Sequence, residues 1–300
     1  YYNSNSDMLR GDLIASEYLQ RNPFSSGSGT AIRLAKTQET WPGRLNLGVN
    51  RAYRKGTLRS SGPLEGRLSR YTASCGPVIY RGNNFPEEYQ GNSFVCEPSG
   101  NFIRRNRHIE TDGNIIAENA ENGKEWMSSS DERFRPVNLY NGPSGGLYIV
   151  DMYRGLVQHK IYLTSYLRNQ AESRGLEKGI DKGRIYRVVY KGNNTSSTKL
   201  AKANGSDLVA ALSSDNGWAR DTAQRLLIES KDDVNYKLAN VAKDGNHALG
   251  RVHALWSLEG RAAITPDIIL DAKEAAERID TDLFELGGEV EVGLDRDGRR

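Results

Sequence analysis

The residues best suited to chemistry are a short charged run and two cysteines. Arg135 precedes Pro136, and Asp151, Arg154 and His159 follow downstream. A guanidinium presents a planar fork that takes a carboxylate in bidentate fashion. Proline fits the first residues of a strand and not its middle, so the Arg-Pro pair sets Arg135 at a strand's mouth. Arg135 is therefore the first candidate for gripping an acidic ligand. The other reading is a structural ion pair with Asp131 or Asp151. Asp151 offers a base or a calcium ligand, or, at a strand's end, the cap of a turn. Tyr153 and Arg154 are candidates to line the same pocket or to pack beneath a helical insertion at 156–168. His159 titrates near neutrality but reads as structural. Cys75 and Cys96 are the only cysteines. They fall at the ends of what should be adjacent strands. In an oxidising compartment they pair as a disulfide; otherwise they are two free core thiols.

Other chemistries find no support in the spacing. Gly27-Ser-Gly-Thr lacks the Gly-Lys-Ser/Thr that completes a phosphate loop. Asp295-Arg-Asp-Gly falls short of an EF-hand loop. His247 and His253 are six apart on one expected helix, which does not give the i, i+4 spacing of a metal pair. His108 sits in an expected strand, at the surface. No Cys-x-x-Cys-His occurs, so the sequence cannot attach a c-type haem.

The elements that must position these residues differ along the chain. Of the 300 residues, 37% are hydrophobic and 26% charged, with a mean hydropathy of −0.65. That length is compatible with two domains. No apolar run approaches the roughly 20 residues of a membrane-spanning helix. The net charge of +3 is uneven: residues 265–300 hold 11 acidic and 5 basic residues, so the preceding 264 carry +9. The arginines there are scattered among Asp, Glu and Gly. A solvated basic surface explains them better than a nucleic-acid partner. The chain opens on Tyr1-Tyr2, which reads as the middle of a strand, and is taken as a piece of a longer protein.

Strands are expected at 77–80, 94–97, 102–110, 115–117, 135–140, 147–151 and 184–190, with a hairpin turn at Thr111-Asp112-Gly113-Asn114. Four-stranded units spaced by about 50 residues are the mark of propeller blades. Tyr2-Asn3-Ser4-Asn5, Phe94-Val95-Cys96-Glu97 and Tyr148-Ile149-Val150-Asp151 echo one another and are read as second strands of three successive blades. Helices are expected at 206–212, 218–229, 234–242, 247–258 and 266–279, in a HEAT-like array. Ser206 and Asp215 or Asn216 are the expected starts, Gly245 and Gly260 the expected stops. The domains are therefore 1–190, a C-terminal part of a propeller; 191–205, a linker; 206–280, HEAT-like repeats; and 281–300, an acidic, Gly-rich tail expected to be disordered.

Several stretches carry a family resemblance. The first is Cys75-Gly-Pro-Val-Ile-Tyr-Arg-Gly-Asn-Asn-Phe-Pro-Glu-Glu-Tyr-Gln-Gly-Asn-Ser-Phe-Val-Cys-Glu-Pro. Others are Asp131-Glu-Arg-Phe-Arg-Pro-Val-Asn and Gly142-Pro-Ser-Gly-Gly-Leu-Tyr-Ile-Val-Asp-Met-Tyr-Arg-Gly. Gly183-Arg-Ile-Tyr-Arg-Val, Asn216-Gly-Trp-Ala-Arg-Asp-Thr-Ala-Gln-Arg-Leu-Leu and Arg251-Val-His-Ala-Leu-Trp-Ser-Leu-Glu-Gly complete the set. Together they resemble bacterial membrane-bound or secreted dehydrogenases related to the sorbosone and soluble glucose dehydrogenases, which use pyrroloquinoline quinone (PQQ). The resemblance implies the last two to three blades of a six-bladed β-propeller followed by HEAT-like repeats. It implies a periplasmic or secreted enzyme that oxidises a sugar or sugar-derived alcohol or aldehyde. Electrons would pass to a c-type cytochrome. PQQ with Ca2+ would be the cofactor, with haem c only in a further domain. Arg135, Asp151 and Arg154 would hold cofactor or substrate, and the catalytic His would lie on earlier blades. The rival expectation is a non-catalytic, carbohydrate- or protein-binding propeller scaffold.

Overall fold

A computed structural model describes residues 1–12, 21, 24, 30–47, 57–111, 114–157, 159, 161, 163–193 and 196–275. The Asp112-Gly113 turn, the Gly27 loop, the end of the fifth expected helix and the acidic tail lie outside the described residues. The chain divides after Ser196 into two compact units. Among the described residues the first is built of β-sheet with one α-helix and a short 3-10 turn at Glu87–Tyr89, the second of helices.

Three antiparallel sheets follow one another in the β unit. The first joins β1 (Tyr2–Ser4), β2 (Asp7–Gly11) and β3 (Ile32–Arg33) in that order. The second runs β4 (Cys75–Ile79), β5 (Ser93–Glu97), β6 (Phe102–Thr111) and β7 (Asn114–Asn119), with β8 (Met127–Ser128) pairing the start of β6. The third joins β9 (Pro136–Asn141), β10 (Leu147–Asp151) and β11 (Arg184–Val188), with β10 in the middle. The first strand of each sheet lies against the first strand of the next, β1 on β4 and β4 on β9. Gly76 makes the second approach possible. It has a φ of +55°, and a Cβ there would sit 2.6 Å from the Asn138 Cα.

The second sheet is covered on both faces, and its sequence shows why. All five residues of β5 are buried. Alternate side chains point to opposite faces, so Val95 packs with Met8, Leu9 and Leu34 from the first sheet's side. Phe94 and Cys96 pack with Leu139, Leu147 and Ile149 of the third. Phe102 and Ile103 divide in the same way on β6. Each such side chain contributes roughly 1.5–3 kcal/mol by leaving water. Charge is sealed in this layer as well. Arg104 of β6 is fully buried; its Nε donates to Glu125 Oε2 at 2.9 Å and its Nη2 to the Glu39 carbonyl at 2.8 Å. Its guanidinium carbon lies 5.0 Å from the Trp41 ring centroid and 5.3 Å from that of Tyr71.

The tetrad echo holds for two strands and fails for the third. Phe94–Glu97 and Tyr148–Asp151 are second strands of their sheets, but Tyr2–Ser4 is a first strand, paired through Tyr2 to Arg10 of β2. Arg10-Gly11 therefore lies across from Tyr2 within one sheet, whereas Arg154-Gly155 lies beyond β10. Spacing between an aromatic and a polar residue does not distinguish first from second strands, since both alternate with period two.

Helix α1 (Ser165–Ser173) is inserted between β10 and β11, starting later than the expected insertion at 156. In the second unit α2 (Gly205–Ala211), α3 (Gly217–Glu229), α4 (Asn235–Asp244) and α5 (Ala248–Gly260) are followed by helix over 266–275. Helix α2 starts at Asn204, not Ser206. The Asn204 side chain accepts from the Asp207 N–H while Asp207 accepts from the Asn204 N–H, a reciprocal capping box. Asn216 caps α3, and His247 Nδ1 caps α5 through the Gly250 N–H. Helix α2 packs on α3 and α4, while α5 packs on α3 and α4. Leu208, Leu212, Leu227, Leu238, Ala254 and Leu258 fill the space between them.

Candidate functional site

Loops from the second and third sheets, the stretch at Arg44 and Asn46, and α1 line a partly open cavity of about 150 Å3 in the β unit. Arg44, Glu132, Arg135 and Arg174 give it a charged side. Pro98, Leu156, Leu167, Ala171 and Leu176 give it an apolar wall. The charged residues stand far apart in sequence, and local structure delivers each one.

Arg135 sits just before β9. Its N–H donates to Asp151 Oδ1 at 2.7 Å, and its carbonyl accepts from the Met152 N–H at 3.0 Å, so the mouths of β9 and β10 are latched together. Its side chain is spent largely on main chain. Nε donates to the Arg154 carbonyl at 2.9 Å, Nη1 to the Pro98 carbonyl at 2.6 Å, and Nη2 to the Gly155 carbonyl at 2.9 Å. Three of the five guanidinium N–H groups thus tie the β5–β6 turn to the chain leaving β10. Burial pulls its pKa down to about 10, while Glu132 pulls the other way and Arg44's charge adds to the fall. Arg135 still carries its charge at neutral pH.

Asp151 is buried and caps a turn, its Oδ1 accepting also from the Tyr153 N–H at 2.8 Å. Its Oδ2 is buried without a hydrogen-bond partner. Arg154 enters this arrangement through its carbonyl. Tyr153 carries the Arg184 guanidinium over its ring at 3.5 Å. His159 is exposed. Among the described residues no three His, Cys, Asp or Glu side chains gather as they would around a metal ion. Arg135, Asp151 and Arg154 are thus brought together, but the Arg135 guanidinium and Asp151 Oδ1 are committed to the backbone and Arg154 joins them through its carbonyl. They do not fit a carboxylated quinone or its calcium ion, and no chemical step is derived through either.

Sequence reasoning passed over Arg44 and Arg174. Glu132 receives Arg44 Nη2 at 3.2 Å and also the Arg174 guanidinium. Arg44 Nη1 donates to Asn101 Oδ1 at 2.9 Å. Asn101, in the left-handed region at a φ of +58°, donates in turn to the carbonyls of Phe134 and Glu132. Arg174 is the last helical-side residue of a Schellman turn that closes α1. Gly175 takes a φ of +58°, its N–H donates to the Glu172 carbonyl, and the Leu176 N–H donates to the Ala171 carbonyl. The turn presents Arg174 and Leu176 to the same cavity. Leu176 packs against Gly155, where a Cβ would sit 2.6 Å from the Leu176 carbonyl oxygen. Arg174 Nη2 is shielded from solvent and makes no hydrogen bond. The local signal was the Arg174-Gly175 helix stop; nothing in the spacing tied it to Arg44.

Glu97 lies next to Pro98 and Ser99 of the cavity wall and is wholly buried. Burial raises its pKa to about 7, against the N–H groups of Ala73, Thr72 and Ser99 that its carboxylate accepts. Cys75 and Cys96 are direct register partners across β4 and β5, and they stand as free thiols, not as a disulfide. Burial pushes the Cys75 thiol up to about 12, with Glu97 adding to it, and raises Cys96 as well. Neither is a nucleophile in this state. His108 is half-buried in β6 with Nε2 at 2.9 Å from Ser93 Oγ. His253 Nδ1 lies 2.6 Å from Gln224 Oε1 in the helical unit.

No helix among the described residues is long and apolar enough to cross a membrane. Comparison with curated proteins and with solved structures finds no match. A family does match over 1–192, the stretch that holds all three sheets and the cavity. The chain belongs to the family described as a domain of unknown function, DUF7133.

Proposed function

We propose that this chain supplies the ligand-binding end, not the redox centre, of a periplasmic or secreted quinoprotein-like dehydrogenase acting on a sugar or sugar-derived alcohol or aldehyde. The observation that carries this reading is the convergence of the turn after β5, the mouth of β9 and the chain leaving β10 on one cavity. Propellers gather ligand-binding groups at one end of successive blades in this way. The three sheets support a partial propeller, since their first strands touch in chain order. The helical unit supports a HEAT-type array, since α2 stacks on α4 and α3 on α5. The quinone, its calcium and the catalytic base belong to blades outside this sequence, and a c-type cytochrome takes the electrons.

The second reading is a binding scaffold without redox chemistry. It is favoured by one observation: the Arg135 guanidinium and Asp151 Oδ1 are spent on backbone. Dye reduction separates the two. The protein containing this chain is offered a panel of sugars with and without PQQ and calcium. Quinone-dependent turnover is the expected result. Sugar binding without turnover would replace the dehydrogenase by the scaffold.

A further inference from the structure

The third sheet ends on an open edge. Its last strand, β11, pairs with β10 alone. In the second sheet β6 holds the same third place, and its outer side is taken by β8 at the start and β7 beyond. No strand among the described residues holds that place beside β11. An edge of this kind presents a row of N–H and C=O groups without a ladder partner.

Sheets blunt such edges with a bulge, a proline or charge. β11 contains no proline. Its register with β10 runs unbroken through all five pairs, from Arg184 opposite Asp151 to Val188 opposite Leu147. Ile185, Tyr186 and Val188 suit an extended backbone, and Ile185 is 69% exposed. Charge is the device that remains. Residues 182–191 hold Lys182, Arg184, Arg187 and Lys191 and no acidic residue. All four are exposed, and Lys182, Arg187 and Lys191 have no ion-pair partner among the described residues. Such an edge repels a second copy of itself and favours a strand that brings carboxylates.

The pleat fixes the pattern that strand must carry. Tyr186 lies opposite Ile149 and packs on Phe134, with ring centroids 6.1 Å apart, on the side of the sheet that meets the second sheet. Arg184 and Val188 share that face, while Ile185 and Arg187 belong to the other. Arg184 is held in place, its guanidinium carbon 3.5 Å from the Tyr153 ring centroid and its Nε donating to the Lys182 carbonyl at 3.2 Å. The two arginines are three residues apart and on opposite faces. A strand that meets both must therefore place its carboxylates three residues apart, with β-branched residues between them against Ile185 and Tyr186.

We propose that the outer edge of β11 docks an extended acidic segment of a partner protein, added to the third sheet as a fourth strand, with carboxylates at i and i+3 opposite Arg184 and Arg187. Main-chain hydrogen bonds hold the added strand, and the paired charges set its register. The edge is no part of the cavity's lining, so the inference does not rest on the dehydrogenase reading.

Two readouts on the full 300-residue chain test this. One is fluorescence anisotropy of a labelled, blocked octapeptide, Thr-Val-Glu-Thr-Val-Glu-Val-Thr; the other is amide hydrogen exchange over Arg184–Val188. Saturable binding that weakens as salt is added, with new protection of the β11 amides, is expected. The peptide with Lys for both Glu should not bind. Nor should a version with proline at the two central positions, which keeps the charges and loses ladder donors. Arg187→Glu should weaken the Glu peptide roughly ten-fold. One of the two single-Lys peptides should bind that variant better than it binds the wild type, which also shows that the variant is folded. No saturable binding of the Glu peptide overturns the inference. So does equal binding of the proline version, or protection that appears elsewhere than β11. β11 amides already protected before peptide is added would give the edge to this chain or to a second copy, and overturn it as well.

Discussion

Arg104 and Arg174 each meet a glutamate inside the β unit, yet the two places differ in every respect that matters for binding. Arg104 and Glu125 are both wholly shielded from solvent, one cation to one anion, with two aromatic rings over the guanidinium. Arg104 Nη1 also lacks a hydrogen bond, but the Trp41 and Tyr71 faces cover the group, and a cation is attracted to such faces. At the cavity one glutamate serves two arginines while a third stands by, and no aromatic ring is recorded over the Arg174 guanidinium, whose Nη2 is shielded from solvent. A balanced, covered pair holds a fold together. An unbalanced one beside a pocket leaves a local excess of positive charge.

That contrast can be broken by measurement. Glu125→Ala leaves Arg104 buried and unpaired, and should cost about 3–5 kcal/mol in denaturant unfolding. A smaller loss than at the cavity would remove the distinction altogether. Glu97 sharpens it through pH. Its pKa rises from 4.5 in the unfolded chain to about 7 in the fold. The folded protein keeps a proton that the unfolded chain has released, so this group's stabilisation is full below pH 4.5, falls as pH rises through the window and is gone above about 7. Over that window the wild type should lose about 3 kcal/mol relative to Glu97→Gln, from 1.36 kcal/mol per pKa unit. Parallel stability curves for the two proteins would refute the assignment.

Arg174→Gln should cost about 1.5–3 kcal/mol, since it removes a charged hydrogen bond from a mostly buried pair while Glu132 keeps Arg44. A cost equal to that of Glu125→Ala would mean that the two glutamates are equally dependent on one arginine. At the far end of the scale stands the exposed Arg225–Glu229 pair on α3, with side chains 60% and 57% exposed. Arg225→Ala should cost about 0.3–0.5 kcal/mol, and added salt should erase the difference.

Much of the architecture was legible because it is local. Strands at 94–97, 102–110 and 147–151 announced themselves by alternation and turn residues, and the four helices from Gly205 to Gly260 by period and caps. Arg135 was found from its Arg-Pro context. The role of Arg135 was not legible. Whether a guanidinium grips a ligand or a neighbour's carbonyl depends on which backbone lies within 3 Å, and that is set by the meeting of separate sheets. Asn204 was missed as a helix start because capping requires a backbone turn, for which Ser206 looked equally suited.

The sequence by itself determined the class of the longer strands and helices, the change from sheet to helix near residue 196, and the family match over 1–192. Those follow from periodicity and turn chemistry, which act over a few residues. Only the tertiary structure decided that Arg44, Glu132 and Arg174, spread over 130 residues, share one space with one anion between two cations. Electrostatic balance is a property of distance through the fold, and no pattern along the chain encodes which charges will finally be neighbours.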